Sequence, residues 1–97
     1  MNPIENPVKE GTIRRNRLLL KNYCRIIKEY GEPAKYMSRS FLYAQAAECF
    51  GNISVQTAGR IISTALKYNR KDIELILSEI EATEMLDILL ELNKTKS

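Results

Sequence analysis

Between Phe41 and Leu66 the chain reads FLYAQAAECFGNISVQTAGRIISTAL, with apolar residues at three- and four-residue intervals on either side of Phe50-Gly51-Asn52. That spacing predicts two short amphipathic helices joined by a tight turn. The first carries Ala44, Ala46 and Ala47, small residues that let a second helix cross closely. It ends at Gly51, the residue type best able to adopt the left-handed conformation that stops a helix. Ser54 restarts the helix as an N-cap, its side-chain oxygen accepting from a free backbone N–H one turn in. In the second helix Ala58, Ile61, Ile62, Ala65 and Leu66 fall on one face, while Gln56, Arg60, Ser63 and Lys67 form a ridge on the other. One face suits a core and the other a charged partner.

The rest of the chain follows the same period, so the expected fold class is all-α. Ile13, Leu19, Leu20, Tyr23, Ile26, Ile27 and Tyr30 set out a first helix from about Thr12 to Tyr30. Arg14, Arg15, Arg17, Lys21, Arg25 and Lys28 lie mostly opposite. Gly31-Glu32-Pro33 ends this helix, with glycine at the stop and proline beyond it. Residues 1–11, containing Pro3 and Pro7, read as a flexible arm. A connector from Ala34 to Arg39 leads to Ser40, the expected N-cap of a helix over roughly Phe41 to Phe50. The next helix covers roughly Val55 to Tyr68. No alternating strand pattern follows it, which disfavours a β-wing.

After Asn69-Arg70-Lys71 the pattern changes. Ile73, Ile76, Leu77 and Ile80 make one apolar stripe, and Met85, Leu86, Leu89 and Leu92 make another. At 100° per residue the two lie nearly opposite each other on a single straight helix. Either the chain bends near Glu81-Ala82-Thr83, with Thr83 capping a fifth helix, or a second copy covers Met85, Leu86, Leu89 and Leu92 in a homodimer. The expected organisation is an arm (1–11), a helical domain (12–70) and an acidic helical extension (71–97) that serves as a dimerisation element on the second alternative.

The run Ile53-Ser54-Val55-Gln56-Thr57-Ala58-Gly59-Arg60-Ile61-Ile62 resembles the turn and recognition-helix segment of bacterial and phage helix-turn-helix DNA-binding proteins, whose common form is roughly Ile-Ser-x-x-Thr-Val-x-Arg-Ile-Ile. The family favours an alanine four residues before the turn glycine, and Ala47 stands four before Gly51. Asn52 adds one residue to the turn, and Ala58 replaces a larger branched residue. The resemblance implies a tri-helical core with one or two further helices and no wing. It also implies major-groove recognition of double-stranded DNA by the helix over 55–68, in a transcriptional regulator of phage or mobile-element type.

On that reading Gln56 and Arg60 read bases, since glutamine pairs in bidentate fashion with adenine and arginine with guanine. Ser54, Thr57 and Ser63 touch bases or phosphates, and Gly59 lets the backbone approach the groove. Lys35, Arg39, Ser40, Tyr43, Lys67 and Arg70 contact phosphates. Two alternatives stay open: a helical protein–protein interaction module, and a phage DNA-packaging or assembly subunit.

Charge is divided along the chain. Residues 1–70 hold 12 Lys or Arg against 5 Asp or Glu, and residues 71–97 hold 3 against 7, so the net of +3 conceals a basic part and an acidic tail. The basic part contains the motif, and such a field attracts phosphate independently of sequence. Cys24 and Cys49 lie on separate expected helices, and the chain has no histidine to complete a zinc pattern, so both thiols are expected to be small buried apolar groups with no metal. No Gly-rich phosphate loop or paired-carboxylate motif points to catalysis or to a cofactor. Neither a signal segment nor a run of about 18 apolar residues is present, so a cytoplasmic protein without membrane contact is expected.

Overall fold

The computed structural model describes the backbone of residues 5–94 and the side chains of residues 11–94. Within them every regular element is helical: α1 (Glu5–Tyr30), α2 (Arg39–Ala46), α3 (Val55–Tyr68), α4 (Arg70–Glu79) and α5 (Leu86–Lys94), with short 3-10 turns at Glu32–Tyr36 and Thr83–Met85. Among the described residues no helix is long and apolar enough to cross a membrane.

Helix α1 is present from Glu5, the first described residue, rather than from Thr12, so the expected arm is helical over residues 5–11, and residues 1–4 lie outside the described part. Pro7 is compatible with this start. In a first turn the backbone N–H has no intrahelical acceptor, so proline removes nothing there. The far end of α1 behaves as the sequence predicts: Gly31 takes φ +70° and its N–H reaches the Ile27 carbonyl at 2.8 Å.

Helix α2 is shorter and earlier than expected. Ser38, not Ser40, is its N-cap, with Oγ accepting from the Phe41 N–H at 3.2 Å. The helix ends at Ala46, where Asn22 of α1 donates Nδ2–H to the Ala46 carbonyl at 3.3 Å and satisfies a C-terminal acceptor. Tight turns then carry the chain to Ile53, which is buried. Gly51 is exposed and is not left-handed, so the stop assigned to it is not used. Helix α3 has the expected bounds, and Ser54 caps it by accepting from the Thr57 N–H at 3.1 Å.

The C-terminal segment bends into two helices. Helix α4 closes with Glu81 at φ 55°, while the Ala82 N–H reaches the Leu77 carbonyl at 2.8 Å and the Glu81 N–H reaches the Ser78 carbonyl at 3.1 Å. These two bonds define a Schellman stop with glutamate in the position that favours glycine. Thr83 opens a 3-10 turn instead of capping α5. The left-handed strain at Glu81 is roughly 1–2 kcal/mol and glycine's extra entropy cost about half of that. Glu81→Gly is therefore expected to raise stability by about 0.5–1 kcal/mol, measured as a higher thermal midpoint.

This bend turns both apolar stripes inward. Ile73, Ile76 and Leu77 are buried, and so are Ile88, Leu89 and Leu92, in one core with Leu19, Tyr23, Ile27, Leu42 and Ile62. Leu89 and Leu92 are thereby withdrawn from the homodimer surface offered by the sequence, and Met85 and Leu86 pack partly buried against the same core. The acidic tail also meets the basic helix directly. Arg17 pairs with Asp72 (3.0 Å) and Glu79 (3.3 Å), and Lys21 pairs with Glu79 (3.4 Å). Lys28 Nζ donates to the Ile80 carbonyl at 2.8 Å, a cation at the negative end of α4.

The two cysteines part company. Cys24 is buried in the core, but Cys49 is exposed in the turn after α2, contrary to the expectation of two buried thiols. Burial pushes the Cys24 thiol up to about 12. A thiolate-selective reagent at pH 8 is expected to label one thiol per native chain, at Cys49, and two only after denaturation. Equal native rates at the two sites would contradict the packing of α1.

Candidate nucleic-acid interface

Helix α3 buries Ala58, Ile62, Ala65 and Leu66 and turns Gln56, Arg60, Thr64 and Lys67 to solvent, with Ser63 half-buried. At 100° per residue, Gln56, Arg60, Ser63 and Lys67 lie within about 60° of arc, so they form one continuous ridge. Among the described residues, no carboxylate pairs with Arg60 or Lys67. Their positive charge is available to a partner.

The N-terminal end of α3 is more committed. Besides accepting from the Thr57 N–H, Ser54 donates Oγ–H to Thr57 Oγ1 at 3.0 Å, so both hydroxyls serve the cap. Ser63 Oγ donates to the Arg60 carbonyl at 3.4 Å.

Two of the expected contact residues have other work. Tyr43 of α2 lies across α3, and a Cβ added at Gly59 would meet its ring at 2.7 and 2.8 Å. Gly59 is therefore the place where the Tyr43 ring rests on α3, not a gap open to a groove. Tyr23 also adjoins this ring, with centroids 5.7 Å apart. Burial raises the pKa of Tyr43, and the adjacent Arg39 guanidinium opposes the shift.

Lys35 also leaves the expected surface. It pairs with Glu32 at 3.3 Å and lines a cleft with Glu84, Asp87 and Glu91, where Glu32 holds its ammonium above the usual lysine range. A phosphate would meet carboxylates there. Ser40 is exposed in the first turn of α2, and Arg70 is exposed at the start of α4.

Two grooves flank the ridge. In one, Arg60, Ile61 and Thr64 join Ile13, Asn16 and Arg17 of α1 and Asp72 of α4. In the other, Arg39 of α2 joins Ser63, Lys67 and the shared Thr64. Sequence reading missed Thr64, although its place four residues after Arg60 puts it beside the ridge. It also missed Asn93, which only the fold brings near α3. Comparison of the chain with protein-family models, with characterised proteins and with solved structures finds no match.

Proposed function

We propose that this chain binds duplex DNA through the exposed face of α3 and acts as a transcriptional regulator. The observation that carries this reading is the ridge Gln56–Arg60–Ser63–Lys67, solvent-facing, with its two cations unpaired by any described carboxylate. Helices α1, α2 and α3 act as the tri-helical unit, and α3 lies in the major groove. Gln56 and Arg60 address base edges, while Lys67, Arg39, Ser40 and Arg70 address phosphates. Ser54 and Thr57 support the helix start and Gly59 seats Tyr43, so base reading rests on Gln56 and Arg60.

Binding to a randomised duplex pool, followed by titration of the enriched site across salt concentrations, tests the reading. Affinity is expected to fall with salt by about 0.9 log unit per log unit for each phosphate contact. Arg60→Ala is expected to cost roughly 1–3 kcal/mol at the preferred site and to relax specificity there, with an unchanged thermal midpoint. A folded protein whose duplex affinity has no salt slope would remove the reading.

A helical protein-interaction or assembly module is the second reading. It draws on Ile13, 64 % exposed, and Leu18, 53 % exposed, on α1. Such a module would stay folded, ignore duplex DNA and form larger species in sedimentation.

A further inference from the structure

The cleft on the α2 side of the ridge has a chemistry of its own. It is lined by Arg39 from the first turn of α2, by Ser63, Thr64, Lys67 and Tyr68 from α3, and by Asn93 from α5. Two cations, two aliphatic hydroxyls, a phenol and a carboxamide thus line one space, and among the described residues no carboxylate lines it. The neighbouring spaces differ: Asp72 lines the groove beside α1, and Glu32, Glu84, Asp87 and Glu91 surround Lys35. Arg39 is half-buried with its guanidinium beside the Tyr43 hydroxyl, and Lys67 Nζ lies 5.7 Å from the centre of the Tyr68 ring. Both cations are therefore held near the cleft by contacts that consume little of their donor capacity. Arginine retains several N–H groups and lysine three, while a phosphoryl group offers several acceptor oxygens and negative charge.

We propose that this cleft is a phosphoryl-binding site in which Arg39 and Lys67 supply charge and Thr64 and Asn93 supply oriented donors. Its ligand is either a backbone phosphate of the duplex, which rests on the reading above, or a free phosphoryl group, which does not. In the first case α5 becomes part of the DNA-binding surface: Asn93 anchors the strand beside the groove that α3 enters. This gives the C-terminal extension a binding role in place of a dimerising one.

The test uses the full chain, inorganic phosphate and a short duplex. In an isotope-labelled sample titrated with sodium phosphate at constant ionic strength, saturable chemical-shift changes are expected at Arg39, Thr64, Lys67 and Asn93. They should be lost in Asn93→Ala and Thr64→Val variants of unchanged thermal midpoint. Duplex affinity is measured for the same variants. A loss of about tenfold, the scale of one hydrogen bond to a charged group, identifies the backbone as the source, with or without saturation by free phosphate. Saturation by phosphate with duplex affinity untouched by Asn93→Ala identifies a free phosphoryl ligand.

No saturation, together with unchanged duplex affinity in both variants, overturns the site while leaving major-groove binding by α3 intact. Saturation by phosphate in a chain that binds no duplex does the reverse.

Discussion

Leu89→Glu is expected to unfold the chain rather than to separate a dimer. The Leu89 side chain is fully buried in the single-chain core, where α5 packs with the rest of the bundle. Deleting a buried leucine costs about 2–5 kcal/mol, and a carboxylate in the same place must either ionise without a partner or take up a proton. A domain of this size has a total stability of roughly 5–15 kcal/mol, so the sum consumes most or all of it. Circular dichroism should show loss of helix at room temperature. Leu75→Glu, at a position 55 % exposed on α4, should leave the helical signal and thermal midpoint nearly unchanged. A Leu89→Glu protein that stays helical and merely sediments as a smaller species would restore the intermolecular role of the second stripe.

That contrast also explains what the sequence could and could not disclose. Helix α3 was legible to the residue because local chemistry alone defines it: a serine cap, a 3.6-residue apolar period and the Asn69 break. Gly31 was legible for the same reason. The two stripes of the tail were visible, but the bend that reconciles them depends on Glu81 accepting a left-handed backbone. Glutamate gives no local sign of that conformation. Glycine at 51 gives such a sign and does not use it, because α2 ends five residues earlier where Asn22 of α1 reaches its last carbonyl. Proline at 7 signals a break when its position relative to the helix start is unknown and signals nothing when it lies in the first turn.

In the candidate interface, the exposed face of α3 was legible from periodicity. The removal of Tyr43 was not, since it depends on neighbours distant in sequence, and for Lys35 only the Glu32 pair is local. Lys35 faces carboxylates of the C-terminal segment, and Tyr43 faces Tyr23 and Gly59. Asn93 presents the opposite case, an ordinary surface amide until α5 folds back beside α3.

Gly59 offers the sharpest test of how α2 and α3 are joined. In an exposed helix interior, glycine to alanine stabilises by about 0.8–1 kcal/mol. Here the new methyl would stand 2.7 and 2.8 Å from Tyr43 ring carbons, inside any normal contact. The ring is not a free end. It is half-buried, tilted against Tyr23 and attached close to the backbone of α2, so relief requires the ring to leave this contact or the two helices to move apart. Overpacking of this kind costs about 1–3 kcal/mol, which outweighs the helix-propensity gain. Gly59→Ala is therefore expected to lower stability by about 1–2 kcal/mol, and Gly59→Leu to lower it by more than about 3 kcal/mol, since its larger side chain enters the same contact. In a Tyr43→Ala background the obstruction is gone and Gly59→Ala should become stabilising by its propensity value. The reversal of sign, read from denaturant midpoints of the four proteins in the cycle, isolates the ring–backbone contact from both single effects. If Gly59→Ala stabilises equally in both backgrounds, the Tyr43 ring does not rest on Gly59, and the glycine returns to the exposed face of α3.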